Sequence, residues 1–175
     1  NGFDVNARYI DDWTGLHIAE VRNDIDMAKL LLKHYADVNA KNCDGATPLL
    51  FAAEEDRIRL IKLLVKHGAD VNTGNIENCT PLHYAVLSNN ILITQFLLKN
   101  GADVNAKMNN GITPLLVNMY KHGGNDITIL RKILVKHGAD VNAKDEYGST
   151  PLDIAKYHKN TDLVAFFEYH GTKND

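Results

Sequence analysis

Apolar residues in this chain come in short paired blocks separated by polar turns. In the clearest block pair, Thr47-Pro48-Leu49 opens a first helix that carries the small residues Ala52 and Ala53, which let a neighbour approach closely. Threonine suits the N-cap, and proline suits the first helical position because its missing N–H is not needed there. A second helix follows, with Ile58, Ile61, Leu64 and Val65 on one broad stripe. It stops at Lys66-His67-Gly68, where glycine can take the left-handed conformation and the basic residues complement the negative helix end. Polar stretches such as Asn42-Cys43-Asp44-Gly45 and Asp145-Glu146-Tyr147-Gly148 supply the intervening turns.

This unit repeats. The tripeptide Asp-Val-Asn ends at Asn6, Asn39, Asn72, Asn105 and Asn142, spaced 33, 33, 33 and 37 residues apart. The threonines Thr14, Thr47, Thr80, Thr113 and Thr150 follow the same spacings of 33, 33, 33 and 37. Two markers sharing one period predict an all-α solenoid of helix-turn-helix repeats. Its divisions are residues 1–6 (tail of a preceding repeat), 7–39, 40–72, 73–105, 106–142 and 143–175.

The pattern resembles the ankyrin repeat family. The carriers are Thr47-Pro48-Leu49, Thr80-Pro81-Leu82-His83, Thr113-Pro114-Leu115 and Thr150-Pro151-Leu152, with Gly-Ala-Asp-Val-Asn ending at Asn72, Asn105 and Asn142. The resemblance implies antiparallel helix pairs stacked side by side, hairpin-like finger loops, and a concave face of fingers and first helices that binds partners. It also implies that His17 and His83 tie neighbouring loops by hydrogen bonds. For Asn39, Asn72, Asn105 and Asn142 it implies either loop ties or, in animal cells, hydroxylation, and the ties are the stronger reading.

The repeats differ from one another in informative ways. In the first, Gly15 replaces the opening proline and Tyr35 the closing glycine, so its turn is expected to be weaker or rearranged. Asp12 and Asn78 replace finger glycines, and both residue types tolerate positive φ. The four extra residues of the fourth repeat fall around His122-Gly123-Gly124-Asn125-Asp126, between its helices. Lys156 and Glu168 stand where the second repeat has Ala53 and Val65, so the fifth repeat reads as a solvated C-terminal cap.

Composition narrows the function. A net charge of −3 with interspersed acids and bases lacks the basic stripe that nucleic acid requires. No apolar run approaches the ~18 residues of a membrane span. Cys43 and Cys79, in different repeats, read as free thiols, which suits the cytoplasm, or a host-cell cytosol if the protein is exported. His122, His158 and His170 match no zinc spacing, and no phosphate loop or nucleophile elbow occurs. The expectation is a protein that is not an enzyme and uses no cofactor or metal.

Function is then expected at concave positions that do not repeat. These are Ile10, Trp13, Val21 and Arg22; Asp44, Glu54 and Glu55; Ile76, Glu77 and Leu87; Ile112, Tyr120 and Lys121; and Tyr147 and Tyr157. Cys43, Ala46, Cys79, Ser88, Asn109 and Ser149 align with them. Exposed aromatic and aliphatic groups among acids suggest a partner protein or peptide with apolar anchors and basic flanks, bound by the targeting part of a larger protein. A small-ligand or oligonucleotide sensor would need clustered bases, and only Arg22 and Lys121 fall there. An engineered binding scaffold would need near-identical repeats, which the first and fourth are not.

Overall fold

In a computed structural model, which describes residues 4–123 and 128–171, each period folds into a helix pair. The pairs are α1 (Gly15–Val21) with α2 (Ile25–Lys33), α3 (Pro48–Glu54) with α4 (Ile58–Lys66), and α5 (Pro81–Leu87) with α6 (Ile91–Lys99). They continue with α7 (Pro114–His122) and α8 (Thr128–Lys136), then α9 (Pro151–Tyr157) and α10 (Thr161–Gly171). Among the described residues there is no strand.

The helix ends follow from the residues placed there. Thr14, Thr47, Thr80, Thr113 and Thr150 are the N-caps of the five first helices, and all have extended backbone. Thr47 Oγ1 accepts the Leu50 amide at 3.3 Å and Thr113 Oγ1 the Leu116 amide at 3.4 Å. At the far end of the pair, Gly68, Gly101 and Gly138 take φ of 89°, 88° and 88°. Tyr35 was expected to disturb this stop, yet it takes φ 65° and keeps the same bonds. Its amide donates to Leu32 O and that of Ala36 to Leu31 O, as Gly68 and Ala69 donate to Val65 O and Leu64 O. The tyrosine is 89% exposed, so its side chain meets little, and the penalty is that of the backbone alone, about 1–2 kcal/mol.

Stacking uses the small residues of the first helices. Ala19, Ala52, Ala85 and Ala155 occupy equivalent positions and are all buried, and they let α1, α3, α5, α7 and α9 pack in succession. The second helices lie further apart, with direct packing concentrated between α2 and α4, so the stack curves with the first helices inside. Leu60, Ile93 and Leu130 are fully buried under the preceding repeat, while Met27, at the same position of the first repeat, is 47% exposed. At the other end Lys156 and Glu168 are exposed.

The fourth repeat departs most. Its first helix runs nine residues where the others run seven, and ends at His122, whose Nε2 lies 3.2 Å from Leu87 O of the previous repeat. The buried Arg131 of α8 donates to His122 O at 2.7 Å, fastening the end of α7. Asn118 takes the position held elsewhere by alanine and is fully buried. Gly124, Asn125 and Asp126 of the insertion lie outside the described residues.

Candidate binding surface

The fingers are built by side chains that replace missing turn partners. Asn42 Oδ1 accepts the amides of Asp44 at 3.1 Å and Ala46 at 2.8 Å. Asn75 does the same for Glu77 and Cys79, both at 3.0 Å, and Asp145 for Tyr147 at 2.9 Å and Ser149 at 2.8 Å. The first finger has no such residue. There Ile10–Asp12 forms a 3₁₀ turn in which Asp11 and Asp12 take φ of 57° and 60°, as the tolerance of aspartate for this region allows.

Neighbouring fingers are joined through their backbones. Cys43 N–H donates to Asp11 O at 3.0 Å, Ile76 to Asp44 O at 2.9 Å, Asn109 to Glu77 O at 3.0 Å and Glu146 to Asn110 O at 2.9 Å. This closeness demands glycine at the turn. A Cβ on Gly45, already at φ 70°, would sit 3.2 Å from Ile76 N.

A second ladder runs behind the fingers. Asn39 Oδ1 accepts the Asp70 amide at 2.9 Å while its Nδ2 donates to Gly68 O at 3.2 Å. Asn72 repeats this with Asp103 and Gly101, and Asn105 with Asp140 and Gly138. Asn39, Asn72 and Asn105 are loop ties. His17 and His83 are ties of the same kind. Nδ1 of each meets the amide of its threonine cap at 3.1 Å, and Nε2 reaches Ala46 O at 3.1 Å or Ile112 O at 3.2 Å in the next finger. With Nδ1 accepting and Nε2–H donating, each ring is neutral. Burial holds the pKa of His17 below its usual value and brings that of His83 down to about 4.

The expected site residues divide into three groups. Ile10, Ile76, Tyr147 and Tyr157 stand in solvent, at 84%, 66%, 84% and 82% exposure, the first three on finger tips. Val21, Leu87 and Tyr120 at the ends of first helices are exposed, as are Arg22, Asp44, Glu54, Glu77 and Lys121. Glu55 is exposed too, and pairs with Arg57 at 3.4 Å. The finger-foot positions behave differently from expectation. Trp13 is half-buried, its ring 5.0 Å from Phe51 and 5.8 Å from His17. Ile112 and Ala46 are half-buried, and Cys79 is buried, with its thiol pushed up to about 11 by desolvation. The chain turns inward here to reach the threonine cap, so the side chain lies over the next repeat. Ser88 is tied as well: its hydroxyl donates to Asp56 Oδ1 at 2.8 Å.

Two site residues are brought together at the end of the row. Tyr120 and Tyr157, at equivalent positions of α7 and α9, line a hollow of about 470 Å³ with Ser149, Asp153, Ile154 and His158. Tyr120 donates its hydroxyl to Asp145 Oδ2. Desolvation pushes the Asp145 carboxyl up, and the bonds from Tyr120, Ser149 and Tyr147 overcome this and hold it below its ordinary value. The role of Asp153 was not read from the sequence, although its slot holds His17, Leu50, His83 and Leu116 in the other repeats.

Exposed acids Asp11, Asp12, Asp44, Glu54, Glu77 and Glu146 lie on fingers and first-helix ends, among exposed bases such as Lys41, Lys107, Lys121 and Lys144. The second helices expose mostly bases, Lys29, Lys33, Arg59, Lys62, Lys66, Lys99, Lys132 and Lys136, with Asp26, Asp162 and Glu168. Cys43 is exposed and, like Cys79, a free thiol. Among the described residues, no group of three His, Cys, Asp or Glu could hold a metal ion, and no helix is long and apolar enough to cross a membrane.

A family model described as ankyrin repeats (3 copies) matches residues 16–108 and again 82–175. No curated protein matches the chain.

Proposed function

This chain belongs to the ankyrin repeat family, whose members are in general protein–protein interaction modules, and from that premise we propose that it binds a partner protein or peptide along its fingers and first helices. One observation carries the reading. The residues that recur from period to period are engaged in caps, ladders and stacking, whereas residues that differ, Ile10, Ile76, Tyr147, Tyr120 and Tyr157, are large apolar or aromatic groups left exposed. Exposed aromatic and aliphatic side chains on a rigid frame are what interface anchors require. The acids beside them favour a partner with apolar anchors and basic flanks, by charge complementarity. Two free thiols and no disulfide favour a reducing cytosol, and a role as the targeting part of a larger protein suits a module whose described residues contain no catalytic constellation.

The test is affinity capture from source or host lysate with three folded chains. One is the parent, one carries Ile10→Ser, Ile76→Ser and Tyr147→Ala, and one carries Arg59→Ala and Lys62→Ala on the outer helices. The partner should be held by the first and third and lost by the second. Capture indifferent to the finger changes and lost with the basic ones would place the interface on the second helices instead.

A further inference from the structure

The hollow between the fourth and fifth repeats differs chemically from the rest of the row. Between the first and second repeats, Trp13 lies on Phe51, the residue that aligns with Ile154. Between the fourth and fifth, Ile112 stands where Trp13 does, and beside Ile154 a space of about 470 Å³ stays open. Its walls are two tyrosine rings, the His158 ring, Ile154, Ser149 and the Asp153 carboxylate. Asp153 Oδ2 receives both the N–H and the hydroxyl of Thr150, at 3.0 and 2.6 Å, leaving Oδ1 as an acceptor. Those bonds hold its pKa below the ordinary carboxylate value, so it is ionised at neutral pH.

The walls are also fixed in place. Tyr120 is anchored by its hydroxyl on Asp145. The Tyr157 ring meets His158 edge-on, with centroids 5.3 Å apart and planes at 85°. His158 in turn lies so close over Gly123 that a Cβ there would be 2.6 Å from the ring. The glycine that opens the insertion therefore allows the fifth repeat's histidine to seat.

Resting on the partner-binding reading above, we propose that this hollow is a subsite for one arginine side chain of the bound partner. A guanidinium is planar, stacks on tyrosine faces, and presents forked donors to a carboxylate, whereas an ammonium is a compact, strongly hydrated point charge. Asp153, with Asp145 behind Tyr120, supplies the negative charge. Lys156 and Lys144, the bases felt by Asp153, do not line the hollow. The occupant enters guanidinium first, stacks on Tyr157 and hydrogen-bonds Asp153 Oδ1.

The experiment is an amide-NMR titration of the whole 175-residue chain with N-acetyl-arginine amide, N-acetyl-lysine amide and N-acetyl-leucine amide. The arginine compound should give saturable shifts at Ser149, Asp153 and Tyr157, with millimolar affinity and about tenfold preference over the other two. Asp153→Asn and, separately, Tyr157→Leu should each abolish that preference. Tyr157 is 82% exposed, so its replacement leaves the fold intact even if the Asp153 change weakens the α9 cap. Equal shifts from lysine would overturn the guanidinium assignment, and stronger shifts from leucine would make the hollow an apolar anchor site. No shift at these residues would overturn the subsite altogether. Ile10, Ile76 and Tyr147 lie outside the hollow, so this titration and the capture experiment fail independently.

Discussion

Glu20 shows how one residue can work against the repeat that contains it. It aligns with Ala53, Val86 and Met119, is fully buried between α1 and its neighbours, and neither carboxylate oxygen has a hydrogen-bond partner. Burial pushes its pKa up to about 8, against a smaller opposing pull from Arg57. A carboxyl that stays protonated in the fold but ionises when unfolded favours the folded state fully only below its unfolded pKa, about 4.3. Its contribution is lost as pH rises from there toward 8. The histidine ties have the opposite sense. His83, at about 4 when folded and ordinarily about 6.5, contributes fully above 6.5 and loses that contribution as pH falls toward 4. Urea unfolding across pH 4 to 8 should therefore give a maximum between the two. Glu20→Met, which matches Met119 in chemistry, should stabilise the chain by roughly 2 kcal/mol at pH 8 and by clearly less at pH 5. No gain at pH 8 would show that the carboxyl is solvated. The sequence disclosed the caps and stops because each is a local backbone requirement, whereas the asparagine ties, which join neighbouring repeats, were implied by the family resemblance alone. Glu20 was not legible that way: beside the solvated Glu54 and Glu55 it reads as another surface acid, and only its alignment with alanine and valine signals burial.

At the scale of elements, the finger and the helix stop were legible from glycine, asparagine and aspartate at fixed offsets. Direction was not. Trp13, Cys79 and Ile112 sit one residue before the threonine cap, and whether such a side chain faces solvent depends on the next repeat lying beneath it. The hollow at Tyr120 and Tyr157 escaped for the same reason, since it is lined by side chains of two successive repeats. The stop at Tyr35 offers a quantitative check. Its φ of 65° penalises tyrosine and not glycine, and its hydrogen bonds match those of the other stops. Tyr35→Gly should raise unfolding stability by about 1 kcal/mol without altering the amide spectrum of the fingers. A loss of stability would mean that the exposed ring makes a contact that offsets its strain.

In the molecule as a whole, the repeated stack follows from the 33-residue period and the alanines it brings together, and the period could be read directly, whereas the curvature was implied by the family resemblance. Both ladders share one further property: every tie spans a single period, whether Asn39 to Gly68, Ile76 to Asp44 or Asn105 to Gly138. Each of these ties joins neighbouring repeats, so the cohesion they supply acts between neighbours. Pulled by its two ends in an optical trap, such a stack should yield as a ratchet, not as a single rupture. Repeats would detach one at a time, each releasing roughly 110 Å of contour. The fourth, with its four additional residues, would give a step about 13 Å longer than the rest. A partner seated across several fingers would then act as a brace, and its grip would be read as merged steps.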